Sequence, residues 1–264
     1  MRIAGLQKLT LLDYPGEVAC TVFTQGCNLC CPFCQNPDLV LPELFPAPIP
    51  EEEFFDFLKR RRGRLTGVAI TGGEPTLQPD LPEFLGKIRE MGFLVKLDTN
   101  GLKPDVLRRI LADSLVDYVA MDVKNSPGKY DLTCGCPLDG KPKGPMDASA
   151  KTPDIVTNQG GAEDAKGLWE KAEESIDLLM EGPVAYEFRT TVALGLHTTE
   201  DIREMARHLS GARAWYLQQF VAGDNLIASF SETPIALASP SAEDLEKMRE
   251  AARELVPAVS LRGV

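Results

Sequence analysis

Two histidines occur in 264 residues, and no apolar run approaches the ~18 residues that a membrane-spanning helix requires. Neither histidine reads as a metal ligand: His197 falls in a predicted loop and His208 on a helix face. A Ser/His/Asp or paired-carboxylate arrangement is missing as well, so ordinary nucleophilic or acid–base hydrolysis has no visible machinery. Positive charge is scarce, with 28 Lys and Arg against 39 Asp and Glu and a net charge of −11. That deficit disfavours direct nucleic-acid binding, which needs an excess of cations against phosphate. The opening residues lack the basic head, apolar stretch and small-residue cleavage site of a secretory signal, so the expected setting is the reducing cytoplasm, with no membrane association. There, seven cysteines point to metal ligation or catalysis rather than disulfides. The 44% hydrophobic content excludes a chain disordered throughout and suffices for a sizeable core.

Six apolar, β-branched runs read as buried strands: 19–24, 68–71, 93–97, 118–123, 186–192 and 214–220. Amphipathic stretches alternate with them at 51–62, 81–91, 105–111, 166–180, 199–209 and 242–255. The first begins with Glu51-Glu52-Glu53 after Pro50 and ends in Lys59-Arg60-Arg61-Arg62, as the helix dipole favours. Strands separated by helices imply right-handed βαβ units and a parallel α/β sheet, open or bent into a partial barrel, within a single domain over 1–264. Residues 125–161 break the pattern with many glycines and prolines, and read as an insertion between strand four and its helix.

The chemistry concentrates in Gly26-Cys27-Asn28-Leu29-Cys30-Cys31-Pro32-Phe33-Cys34. Thiols crowded this closely in a cytosolic chain call for a metal, because bare thiolates repel one another and oxidise. Two three-ligand registers are open, Cys27/Cys31/Cys34 and Cys27/Cys30/Cys34. Both fit an iron–sulfur cluster better than a structural zinc, which takes four ligands, usually as separated pairs. Beyond Cys20, the distant thiols are Cys134 and Cys136, which read as ordinary thiols or an accessory metal or redox pair. Further polar clusters sit at strand ends: Thr71-Gly72-Gly73-Glu74-Pro75, Asp98-Thr99-Asn100-Gly101, Asp122-Val123-Lys124, Arg189-Thr190-Thr191 and Gln218-Gln219. Taken singly they are turn and cap residues. Together with the cysteine loop they fall at the carboxyl ends of the strands, where parallel α/β folds bind their ligands.

The spacing C-x3-C-x2-C with an aromatic before the third cysteine resembles the signature of the radical S-adenosylmethionine (SAM) superfamily, and Gly72-Gly73-Glu74 resembles its GGE motif. The flanks, Gln7-Lys8-Leu9-Thr10-Leu11-Leu12-Asp13-Tyr14-Pro15-Gly16, Thr21–Gly26 and Gln35-Asn36-Pro37, are similar to those of glycyl-radical activating enzymes, in particular the anaerobic ribonucleoside-triphosphate reductase activating group. The resemblance implies a partial (β/α)6 TIM-like barrel of the radical SAM type. It implies a [4Fe–4S] cluster held by Cys27, Cys31 and Cys34, with the fourth iron chelated by SAM, reductive cleavage of SAM, and hydrogen abstraction from a backbone glycine of a partner enzyme. It further implies SAM contacts from Phe33, Gln35, Gly72, Gly73, Glu74, Asp122, Lys124 and Arg189, with Asp98 and Asn100 lining the site, and a flavodoxin- or ferredoxin-type electron donor. Gln35 stands where that group usually has His, Cys30 where it usually has a basic residue, and no ferredoxin-like cysteine-rich insert is visible. A radical SAM enzyme acting on a small molecule, such as a 7-carboxy-7-deazaguanine synthase, and a non-enzymatic metal-binding protein are the rival readings.

Overall fold

The eight strands lie side by side in chain order: β1 (Ile3–Thr10), β2 (Ala19–Thr24), β3 (Gly67–Gly72), β4 (Leu94–Thr99), β5 (Tyr118–Asp122), β6 (Ala185–Val192), β7 (Trp215–Gln219) and β8 (Val259–Arg262). The computed structural model describes residues 1–135, 167–223, 225–230 and 236–263. From β2 to β8 every neighbouring pair is parallel, while β1 runs antiparallel to β2 with two irregularities of register. An order that never reverses, joined by crossovers of one hand, keeps all the helices on one face and curls the sheet around the other. A doubly wound sheet would need a reversal of strand order. The order ends at β1 and β8, which do not pair with each other, so the barrel is partial.

The connections carry α1 (Pro37–Val40) and α2 (Glu51–Arg61), then α3 (Leu81–Glu90), α4 (Pro104–Ala112), α5 (Tyr130–Cys134), α6 (Leu168–Glu181), α7 (Thr199–His208) and α8 (Ala242–Arg253). Strand residues facing them are apolar and fully buried, among them Val68, Ile70, Val95, Leu97, Met121, Phe188 and Leu217. The alternate residues give the concave face a different composition. Its lower part holds Lys96, Tyr118, Glu187, Tyr216 and Arg262, with Arg262 bidentate on Glu187 at 3.0 and 3.1 Å and Tyr118 Oη donating to Glu187 Oε2 at 3.1 Å. Its upper part carries Asp98, Asp122, Arg189, Thr191 and Gln218.

The six expected strands are present, and two more flank them. β1 escaped because its Gln7-Lys8-Leu9 stretch is exposed on both faces and shows no alternation. β8 is only four residues long, which is too short for periodicity to register. Thr198 caps α7 in a reciprocal capping box with Asp201, and Ser241 forms the same box with Asp244 before α8.

A larger correction concerns 125–161. Its first part is built into the core, not looped out: Asn125, Ser126, Tyr130, Thr133 and Cys134 are buried. Asn125 Nδ2 donates to Thr133 Oγ1 at 2.8 Å and to the Leu196 carbonyl at 3.1 Å, and Lys129 meets Asp201 at 2.6 Å. The Tyr130 ring stands edge-on to Trp169 of α6, with centroids 5.5 Å apart. Five residues of helix are too few for an amphipathic period, so a run of glycines and prolines masked a packed turn. Cys136 and the rest of that insertion lie outside the described residues. Tyr130→Ala is therefore expected to cost about 3 kcal/mol of unfolding free energy, the usual penalty for truncating a buried aromatic. Urea denaturation measures it, and a loss below about 1 kcal/mol would place Tyr130 outside the core.

Candidate functional site

A cavity of about 380 Å³ opens at the carboxyl ends of the strands, within the size range of small-molecule sites. All thirteen residues singled out from sequence line it: Cys27, Cys31 and Cys34; Phe33 and Gln35; Gly72, Gly73 and Glu74; Asp98, Asn100, Asp122, Lys124 and Arg189. Cys30 is not in the lining.

The cysteine loop follows β2 and is held through its backbone. Gly26 donates its N–H to the Leu39 carbonyl at 2.8 Å and accepts from Glu74 N–H at 2.8 Å. Cys30 N–H donates to the Cys134 carbonyl at 3.0 Å. On the other flank, Ile227 N–H reaches the Cys34 carbonyl at 3.0 Å and Ala228 N–H the Pro32 carbonyl at 3.1 Å. Leu29 N–H points at Cys27 Sγ, 3.4 Å away. Burial pushes the Cys27 and Cys34 thiols above their ordinary value. Cys31 goes the other way: the hydrogen-bonded Cys134 thiol and then the Lys124 ammonium lower it against the effect of burial. Among the described residues, no three His, Cys, Asp or Glu side chains gather tightly enough to hold a single metal ion. The three lining thiols share a wall instead of converging on a point.

The turn after β3 needs its glycines for space. A Cβ on Gly72 would sit inside the Thr24 backbone, and one on Gly73 inside the Gly26 carbonyl oxygen. This close approach lets β3 seat the first turn of the cysteine loop. Glu74, buried, ties the turn to the end of β4. Its Oε1 accepts from Thr76 N–H (3.0 Å), Thr76 Oγ1 (2.5 Å) and Thr99 Oγ1 (2.8 Å), and its Oε2 from Asn100 N–H (2.7 Å). Burial lifts this carboxyl above its ordinary value, and the four donors oppose the lift. Oε2 accepts one bond only and keeps a lone pair for one further donor in the cavity. Asn100 extends the chain of contacts, donating to Asn28 Oδ1 at 2.8 Å.

Across the upper concave face, charges alternate. Lys96 pairs with Asp98; Arg189 donates to Asp98 at 3.2 Å and to Asp122 at 2.9 Å; Lys124 donates to Asp122 at 2.9 Å. Burial would raise the Asp122 carboxyl, but Arg189 and Lys124 together hold it below the usual carboxylate range. Of the three cations in this chain of pairs, Lys124 and Arg189 line the cavity and can donate to an anionic group there, whereas Lys96 is buried outside the lining. Phe33 lies under the Lys124 ammonium at 6.0 Å and edge-on to His197. Buried His197 joins its Nε2 to the Lys124 carbonyl at 2.7 Å, and burial holds its imidazole below the ordinary value.

Several lining residues escaped the sequence reading: Val40, Phe220 and Val221. Their loops carry no motif, and only the fold brings them to the rim. Lys96 was hidden inside an apolar run, although its i, i+2 relation to Asp98 on a strand puts both on one face.

A family model of the Radical SAM superfamily matches residues 21–134. Over 266 aligned residues the chain is 29% identical to a candidate glycyl-radical enzyme activating enzyme of Methanocaldococcus jannaschii, with 99% of this chain and 96% of that protein covered. It is 35% identical over 145 residues to the 7-carboxy-7-deazaguanine synthase of Methanopyrus kandleri, covering 47% of this chain and 57% of that protein. Among solved structures, Streptococcus suis SuiB bound to S-adenosylmethionine superposes with a TM-score of 0.61 at 15% identity. That likeness covers 90% of this chain but about half (48%) of SuiB, and it speaks to the fold alone.

The glycine turn generates a paired test. Gly73→Ala sets a methyl against a backbone carbonyl that cannot rotate away, and is expected to cost about 2 kcal/mol, as overpacking does. Gly86→Ala, in α3 with open space around it, is expected to stabilise by about 0.5–1 kcal/mol. Chemical denaturation of both proteins reads the two signs, and like signs would refute the packing argument.

Proposed function

We propose that the chain, matched by the Radical SAM family model over residues 21–134, is a radical SAM activating enzyme of a glycyl-radical enzyme, with anaerobic ribonucleoside-triphosphate reductase as its partner. The observation that supports this most directly is the gathering of every expected site residue on the wall of one cavity. The Methanocaldococcus jannaschii relative runs the full length of the chain, whereas the likenesses to pyruvate formate-lyase-activating enzymes and to deazaguanine synthase both stop at about half. In this reading the partner is a protein whose glycine-bearing loop enters over the strand ends, and the electron comes from a flavodoxin- or ferredoxin-type donor.

The donor chemistry fits the family's two cofactors, a [4Fe–4S] cluster and SAM. Three thiols on one wall suit a multi-iron cluster with one corner left for a non-protein ligand. When bound, the pair supplies one electron to SAM's sulfonium C–S bond and thereby the carbon radical that takes a hydrogen atom from glycine. The protein's own part is placement. Cys27, Cys31 and Cys34 would hold the cluster. Glu74, with its remaining Oε2 lone pair, would accept from an ammonium, while Arg189 or Lys124 would meet a carboxylate. Phe33 gives the adjoining wall an apolar surface, and the Gln35 side chain is fixed by its bond to the Val221 carbonyl at 2.7 Å. Hydrogen abstraction moves no proton, so a general acid or base is not required.

The decisive experiment mixes the anaerobically reconstituted, reduced protein and SAM with anaerobic ribonucleotide reductase. A glycyl-radical doublet in the paramagnetic resonance spectrum is expected. Conversion of a small molecule with no partner protein, or zinc in place of iron and sulfide, would overturn the proposal. Within the cysteine loop, Cys31→Ser is expected to abolish SAM cleavage, while Cys30→Ser retains most of it. Equal loss in both variants, measured by release of 5′-deoxyadenosine, would reject this ligand register.

A further inference from the structure

Cys134 has no part in the function proposed so far, yet it lies against the cysteine loop. It ends α5, is fully buried, and its thiol lies within hydrogen-bond reach of Cys31. Two further contacts fix that approach. The Cys134 carbonyl accepts from Cys30 N–H at 3.0 Å, so the last turn of α5 is bonded to the loop itself. Gly135 then takes a left-handed conformation (φ 65°), where a Cβ would overlap the Cys30 carbonyl. Behind this contact the segment is braced by Asn125 on Thr133 and on the Leu196 carbonyl, by Lys129 on Asp201, and by Tyr130 on Trp169. A thiol held this firmly, next to one of three lining thiols, has a specific chemical consequence. Once Cys31 is bound to iron, its sulfur is only an acceptor, and the neighbouring S–H is the donor that faces it.

We propose that Cys134 is a positioning residue for the cluster: its S–H donates to the iron-bound sulfur of Cys31 and favours the reduced cluster, with 125–135 as the bracket that holds it there. The proposal rests on the reading that Cys31 ligates the cluster. Hydrogen bonds to ligand sulfurs stabilise the added negative charge of the reduced state and so raise its potential. Cys134 itself is not a ligand in this account.

The test compares wild type with Cys134→Ser, which keeps a donor, and with Cys134→Ala and Cys134→Val, which do not; the valine variant also preserves volume. Iron and sulfide content is measured first, then the cluster's midpoint potential in a redox titration followed by paramagnetic resonance. The Ser variant is expected to titrate near wild type. The two donor-free variants are expected to load the cluster and to titrate at more negative potential, by up to a tenfold change in the reduced-to-oxidised ratio, about 59 mV. An unchanged potential in whichever donor-free variant loads would overturn the proposal. Loss of the cluster in the Ser, Ala and Val variants alike would also overturn it, by making Cys134 a ligand. A wild-type protein that takes up no iron and sulfide would overturn the cluster reading as a whole, which separates that failure from this one.

Discussion

The cysteine loop buries Leu29, Cys31 and Phe33 in the core, and its path is set by backbone hydrogen bonds from four other parts of the chain. The β3 turn grips Gly26, the α5 end grips Cys30, the segment after β7 grips Pro32 and Cys34, and the start of α1 lies over Gly26 through Leu39. Each bond taken alone is worth about 1 kcal/mol net. Their value here is geometric: the loop is correctly formed only if these four segments are correctly spaced. That requirement explains the tight glycine turn after β3, where any side chain would push the loop away from the sheet. It also explains why Glu74 is buried. Of its four accepted bonds, two come from Thr76 in the same turn and two, from Thr99 and Asn100, join that turn to the β4 end, so the two cannot move independently.

The concave face obeys a second constraint. A barrel open on one side cannot fill its interior with packed aliphatic layers without exposing them, and this chain fills it with paired charges instead. At the foot, Glu187 and Arg262 pair bidentately beside Tyr118 and Tyr216. At the rim, Lys96, Asp98, Arg189, Asp122 and Lys124 form an unbroken alternation. Buried ion pairs are weak sources of stability, because desolvation offsets most of the attraction. They are strong sources of orientation, since Arg189 is fixed between Asp98 and Asp122 and each lysine is tied to one of those carboxylates. Stability must therefore come from the other face of the same strands, where the apolar residues meet the helices.

Much of this was legible in the residues, and for identifiable reasons. Parallel strands buried on one face by helices leave long β-branched runs, and all six were readable. The site was legible because its motifs sit at strand ends, and one topological rule carries them to one rim. What escaped has physical causes too. β1 and β8 lie at the edges of the sheet, where one side is unpaired and the hydrophobic pattern is faint. The packed turn at 125–135 is stabilised by side-chain hydrogen bonds and one aromatic contact rather than by periodicity, and no periodic search finds such a device. Lys96 was concealed because a strand that alternates faces was read as one continuous apolar run.

The two positions that depart from the activating-enzyme pattern have structural explanations of different kinds. Gln35 is exposed at its backbone position, and its amide donates to the Val221 carbonyl, so the residue after the third cysteine fastens the loop that follows β7. A neutral imidazole N–H serves the same bond, but glutamine does so without a protonation equilibrium near neutrality, and the fastening is then independent of pH in that range. Cys30 contributes through its N–H, which any residue other than proline supplies, and its thiol lies outside the cavity lining. A basic side chain there is thus replaceable as far as the loop's architecture is concerned. The loop follows one rule at both sites: backbone bonds set its path, and the side chains free to vary are those whose neighbours need only an N–H.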